Sequence, residues 1–595
     1  MTGWVTRCTL YARYKLLSSS CGWFCDTEWN QDKFLASSAQ QDLPPSPSPH
    51  QNLQPLTLSI PVKMADPSVT VTVTHTVQCA DPERTMALSA PFNLGPFDYL
   101  PYLGIQTDVV WVYEAKSSTT TPIRVIPIAR LQKALAILLN HYPHLTGRLF
   151  VDPATGQRSI TRLGSGIHLL EARCDASLSC FRNGSTTTGD IQMENLPGAG
   201  NALIAPPWDP SPETAQRDPL FYIQHTRFQC GSVAVGLRVA HTVCAAEGTL
   251  AMYRNLAHIY RGLGADGMGS VVLDPQPCIL SVMADEVTGR NTAERVESRG
   301  HCPVGFSLAE SDPVVPPPGK KREVQQPKEE DKPPVAGRTF HFSPADIAML
   351  KAQATPPDGS GWVSSFEALA AHIWRRVHRA RVRFYSSAQS SHPTKPQPAE
   401  QDEAAETGPL SSFCTIISFA DKLPGIPPNY FPNCVVPYSS TVPVAELADM
   451  PLWRVAAHIH GLIRGRTSPV GVEEARKLGR WIAAQEDKRA VGLDCLFDRW
   501  SFTASGWHSF ALYEGAEMHA DDGDDACAEL VLAGPPVWIF NQEFTRFGYG
   551  DGLAIFTSRA GSREGGGGVV VKITLVEGVM ALLEWEGGLS VGVEG

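Results

Sequence analysis

Residues 232–262 read SVAVGLRVAHTVCAAEGTLAMYRNLAHIYRG, and the period of the apolar positions changes within them. Val233, Val235, Leu237 and Val239 alternate, which predicts a strand with one apolar face. Leu250, Tyr253, Leu256 and Tyr260 then recur at helical spacing. Between the two lies TVCAAEG, a loop of small residues, and His241 stands at the joint with the parity of the apolar face. An imidazole leaving a strand end beside such a loop can face a cavity, where its ordinary pKa suits it to accept a proton near neutral pH. A histidine filling a core or decorating a surface is the commoner case, and periodicity alone does not decide between them.

The flanking sequence has the same mixed character. Leu131, Leu135, Leu138 and Tyr142 predict a helix that ends at Pro143, and LTGRLFV and RSITRL predict a hairpin turning at Gly156. In the second half, RTFHFS predicts a strand. Phe366, Leu369, Ala370, Ile373 and Val377 mark the apolar stripe of a helix in SSFEALAAHIWRRVHRARV. Residues 311–336, charged and proline-rich, divide the halves. Expected boundaries are a disordered leader at 1–85, a first domain at 86–280, a crossover linker at 281–340 and a second domain at 341–595, with a disordered insertion at 386–410. Met64 is an alternative start. The acidic run at 521–525 and the glycine-rich run at 561–568 are expected to be exposed loops. No GxGxxG or phosphate-loop motif occurs.

The whole chain narrows the function classes. At 595 residues it exceeds one ordinary core. A net charge of −11 argues against wholesale nucleic-acid binding. No apolar run is long enough to span a membrane. The 14 cysteines lack metal-ligand spacing and read as reduced thiols, and the first residues lack the apolar core of a signal peptide. A cytoplasmic monomer without bound metal is the expectation.

The segment around His241 resembles the HxxxD region of the BAHD-type acyltransferases, especially fungal members. LSAPFNLGPFDYL resembles that family's opening strand, and LQKALAILLNHYPHLTGRL its first helix and following strand. FHFSPADIAMLKAQA, NYFPN and DGLAIFTS follow in the family's order, so the resemblance covers most of residues 86–588. It implies an α/β fold of two chloramphenicol-acetyltransferase-like domains with an interdomain channel. It also implies acyl-CoA as co-substrate, no bound cofactor, and a small, secondary-metabolite hydroxyl or amine as acceptor. His241 would be the general base. Ser364 and Ser365 would lie near the acyl or pantetheine channel, with helix capping as the alternative. Asn433 would line the channel, with a turn role as the alternative.

Several positions depart from the family pattern. The motif carboxylate is replaced by Ala245 and the following glycine by Ala246. The expected arginine partner lies in a stretch that here reads SFADKL, with Ala420 and Lys422 at the candidate positions. Losing both members leaves no stranded charge, whereas aspartate restored alone at 245 would be unpaired and, if the site is buried, destabilising. Glu247 is a candidate stand-in, two residues on. Pro432 replaces a glycine. The family's C-terminal Asp-Phe-Gly-Trp-Gly element aligns either at 546–550 or near Glu514–Met518. These departures keep a rival reading open: a non-catalytic homologue that binds a ligand.

Overall fold

The alternating run before His241 forms a strand in the interior of a sheet. In the computed structural model it is β8 (Val233–Ala240), with all eight residues buried. The structure describes residues 68–100, 105–115, 125–182, 191–206, 212–264, 271–281, 302–308, 334–391, 408–493, 499–519, 528–536, 551–558, 568–585 and 587–591. The odd positions of β8 pack against the Ile128–His141 and Ala246–Gly262 helices, whose apolar residues are those the spacing picks out. Ala240 joins the same apolar cluster, and burial of the other three even positions has separate causes. Ala234 joins Val110, Val112 and Phe228 in a second apolar cluster. Gly236 lies so close to Leu203 that an added Cβ would fall 2.0 Å from its carbonyl oxygen. Arg238 faces Asp108 on the neighbouring strand and pairs with it at 2.7 Å.

The first sheet runs β1 (Val69–Val77), β6 (Ile167–Cys174), β7 (Phe221–Arg227), β8, β3 (Gln106–Ala115), β15 (Ala528–Gly534). Only its β6–β7 pair is parallel. The expected hairpin is β4 (Arg148–Val151) with β5 (Arg158–Thr161), and β2 (Phe92–Asn93) adds to it. Its turn needs a positive φ, which Gly156 supplies at +65°.

The second sheet runs β10 (Val335–Phe342), β17 (Val569–Val576), β16 (Leu553–Ser558), β14 (Ser501–Gly506), β11 (Leu410–Ser418), β12 (Val435–Pro443). Leu369, Ala370, Ile373 and Val377 of the Ser365–Ser391 helix pack against it. Two sheets with helices laid on them make the α/β pattern expected.

The boundaries need correction. The leader was expected to lack order through residue 85, yet β1 pairs with β6 from Val69 onward. Its Thr-Val alternation lies mostly exposed at a sheet edge, so composition gives no apolar contrast to detect. The expected strand at 88–100 is mostly irregular, because Pro91 and Pro96 interrupt it and Pro96–Tyr99 form a 3₁₀ turn. Inside the expected linker, β9 (Phe306–Leu308) pairs with β13 (Val491–Leu493), and β10 begins at Val335. The expected insertion starts late, since the helix continues to Ser391 and β11 begins at Leu410. Residues 1–67, the rest of the linker and insertion, and the runs at 521–525 and 561–567 lie outside the described residues.

The halves also exchange an element. β15 belongs to the second half by sequence but pairs with β3 to complete the first sheet. The preceding segment is tied to the same strand, with Trp111 Nε1 donating to the Leu512 carbonyl at 2.9 Å and Tyr113 OH to that of Ala516 at 2.6 Å. A boundary at residue 341 therefore does not partition the sheets.

Candidate active site

β8 ends where the chain must leave the sheet, and His241 is the first residue beyond it. Its amide donates to the Ile105 carbonyl at 2.9 Å, and its carbonyl accepts from Asn433 Nδ2 at 2.8 Å. The backbone is thus held from both halves of the molecule. The side chain lines a cavity of about 440 Å³ between them, within the usual range for small-molecule sites. The wall is apolar, with Leu100, Ile105, Phe366, Ile417, Trp507 and Ile555, and is interrupted by hydroxyls of Thr107, Thr415, Ser418, Thr503 and Ser505.

Burial is the main influence on His241 and pushes its pKa below the usual histidine value. Its own carbonyl and the Asn433 side chain oppose the shift. The ring is therefore neutral at pH 7. Nδ1 is buried without a hydrogen-bond partner.

The other expected site residues fall in different places. Ser364 and Ser365 are not among the cavity-lining residues, although Phe366 is. Ser364 caps the Ser365–Ser391 helix: its Oγ accepts from the Glu367 amide at 3.2 Å, and its own amide donates to Glu367 Oε2 at 2.6 Å. Ser365 is exposed. Asn433 is buried behind the cavity wall and grips the His241 carbonyl from there. Glu247 does line the cavity, and its carboxylate accepts from Ser418 Oγ of the second half at 3.2 Å. Lys422 also lines the cavity, paired with the adjacent Asp421. Of the two placements of the C-terminal element, 514–518 lies in the segment tied to β3, and 546–550 lies outside the described residues.

Two residues near the site escaped the sequence reading. His508 lines the same cavity, stacks on Phe366 at 5.4 Å between ring centres, and is likewise pushed down by burial. Asp98 is buried beneath the His241 loop, and a lone carboxylate within the apolar run PFDYL was the available signal. Among the described residues no cluster of His, Cys, Asp and Glu could hold a metal, and no helix is long and apolar enough to cross a membrane.

Ala245 occupies the N-cap of the Ala246–Gly262 helix in extended conformation, with no side-chain cap. Ala245 is also buried, at 8% exposure, so the cost expected of an aspartate there stands against a gain that the sequence reading did not weigh. A carboxylate at an N-cap accepts from the first-turn amides and faces the positive end of the helix. Ala245→Asp is accordingly expected to stabilise the protein by roughly 1 kcal/mol, the usual gain of a capping side chain over alanine. Urea unfolding of the two proteins checks this, and a lower midpoint for the variant would show that desolvation outweighs capping.

Comparison with known proteins places the fold and site in context. A family model described as Transferase family matches residues 67–464, more than half of the chain. A taxadien-5-alpha-ol O-acetyltransferase of Taxus chinensis is 32% identical over 183 residues, 30% of this chain and 37% of that protein. The hydroxycinnamoyl-CoA:piscidic acid hydroxycinnamoyltransferase of Actaea racemosa is 26% identical over 352 residues, 58% of this chain and 64% of that one. The chain thus spans less than two thirds of the length of these curated relatives. Among solved structures, F. graminearum TRI101 complexed with coenzyme A and T-2 mycotoxin superposes with a TM-score of 0.56 at 16% identity, covering 84% of this chain and 97% of that one. Vinorine synthase also gives 0.56, at 14% identity, covering 88% and 99%. At such identities the superpositions establish the shared two-domain fold.

Proposed function

The chain belongs to the Transferase family, the BAHD acyltransferases, and from that premise we propose that it moves an acyl group from acyl-CoA to a hydroxyl or amine of a small, secondary-metabolite acceptor. The observation that carries the proposal is an imidazole, His241, at a strand end and lining a largely apolar cavity between two sheet-bearing halves.

With Nδ1 buried, Nε2 is the nitrogen left to work in the cavity. It takes the proton of the acceptor hydroxyl or amine as the acceptor atom attacks the thioester carbonyl carbon. The tetrahedral intermediate then expels the CoA thiolate, the C–S bond breaks, and the imidazolium returns the proton to sulfur. The apolar wall serves this cycle by excluding water, which competes with the acceptor for the thioester. Relatives whose names carry acetyl and hydroxycinnamoyl transfer support the donor class. The lining favours an acceptor with a mostly apolar skeleton.

Purified protein mixed with a panel of acyl-CoAs and candidate acceptors should release free CoA thiol only when an acceptor is present, with the acylated product detected by mass spectrometry. Binding of acyl-CoA with no thiol release across the panel would favour the non-catalytic reading, which Ala245 keeps open.

The pH dependence follows from the sign of the His241 shift. The base works when neutral, and burial holds its pKa below the ordinary 6.5. The acid limb of kcat is therefore expected below pH 6.5, with turnover flat from there through pH 7.5. A limb centred above 6.5 would mean that the working base is another group, or a His241 stabilised in its charged form.

A further inference from the structure

With the motif carboxylate gone, something else must hold His241 in working orientation. We propose that Asn433, braced by Asp98, is the positioning residue for His241, fixing both its backbone and the tautomer of its ring; this rests on the acyl-transfer reading of the site.

The connections run through one buried asparagine. Asn433 is 2% exposed, as is Asp98. Asp98 Oδ1 accepts twice from Asn433, from its backbone amide at 3.0 Å and from Nδ2 at 2.8 Å. Asp98 Oδ2 accepts from the Gly95 amide at 2.7 Å, which fixes the carboxyl group in turn. Asn433 Nδ2 also donates to the His241 carbonyl at 2.8 Å. Both Asn433 amide protons are thereby spoken for.

Two atoms at this joint lack partners. Asn433 Oδ1 and His241 Nδ1 are both buried and neither makes a hydrogen bond. One is an obligate acceptor, and the other is a donor in one of the two neutral tautomers. The histidine's own carbonyl and, after it, the Asn433 side chain already oppose the downward shift of the His241 pKa. Pairing them satisfies both orphans, places the proton on Nδ1 and leaves the lone pair on Nε2, where the base is needed. Burial pushes the Asp98 carboxyl up to about 7, against the hydrogen bonds from Asn433 and Gly95 and the nearby Arg158 charge. Neutral or ionised, it retains an oxygen that accepts from Asn433.

The link also joins the halves of the molecule. Asp98 and His241 come from the first half and Asn433 from the second, 335 and 192 residues distant in sequence. It therefore provides the kind of cross-domain hold on the base that Ala245 cannot.

The test reads the ring directly. In protein labelled with ¹⁵N-histidine, the His241 resonances, assigned by their absence in His241→Gln, should report the Nδ1–H tautomer in wild type. Asn433→Ala should shift that ring towards a mixture with Nε2–H. It should also lower kcat on the order of 10- to 100-fold, the scale of a misplaced catalytic group, while KM for acyl-CoA stays within about twofold. Asp98→Asn keeps an accepting oxygen and should stay within about fivefold of wild type, whereas Asp98→Ala should resemble Asn433→Ala. An unchanged tautomer in folded Asn433→Ala, or wild-type turnover in Asp98→Ala, would overturn the proposal. Wild type that shows the tautomer shift on mutation yet transfers no acyl group would instead remove the acyl-transfer reading and leave the positioning intact.

Discussion

Replacing His241 by alanine is expected to lower turnover by about 10²–10⁴-fold, the usual contribution of a placed general base. Stability should change little. The ring is half-buried on a cavity wall, and the contacts that hold this segment run through its backbone amide and carbonyl, which alanine keeps. Steady-state kinetics on the same acyl-CoA and acceptor, with melting curves for both proteins, check the two halves of the expectation. Unchanged turnover would move the base elsewhere, and His508 is the other imidazole on the wall. His508 is the weaker candidate because its ring stacks on Phe366. Alanine at 508 should accordingly act mainly on the acceptor's KM.

How much of this was readable in advance depended on whether the deciding contact was local. The β8 strand, the helix after it and the turn at Gly156 were legible, because period, small residues and a glycine are properties of a few neighbours. β1 was not, since an exposed edge strand of threonine and valine makes no contrast between its faces. β15 was illegible for another reason: its partner β3 lies more than 400 residues earlier, and no pattern within residues 528–534 names that partner. The candidate site divides in the same way. His241 was recognisable from its place at a strand end and from a family motif. Ser364 carried two readings of equal standing, and the capping geometry with Glu367 is the one visible in the structure. Asp98 became meaningful only when folding brought Asn433 to it.

The same strand that presents His241 carries a buried ion pair three residues earlier, and breaking it should have the largest effect on stability. Arg238 and Asp108 stand directly opposite each other on β8 and β3, joined by two hydrogen bonds of 2.8 and 2.7 Å, with the side chains 7% and 8% exposed. Arg238 also donates to the Ala205 carbonyl. Asp108→Ala removes the carboxylate but leaves the guanidinium in an environment with little water to solvate it. A loss of roughly 3–5 kcal/mol is expected, most of it the desolvation cost of the stranded charge and not the worth of the pair itself. That attribution has its own check. Asp108→Val with Arg238→Met removes both charges and fills the space with apolar groups that fit beside Val110 and Ala234, so the double variant should recover most of the loss. Urea unfolding of wild type, Asp108→Ala and the double variant separates the cases. If the double variant is as unstable as the single one, the pair itself holds β8 in register against β3. Turnover per folded molecule then becomes informative, because a slipped register would turn His241 away from the cavity. If stability is recovered and turnover with it, the ion pair serves the sheet alone, and the orientation of His241 is decided beyond the end of the strand, where Asn433 meets its carbonyl.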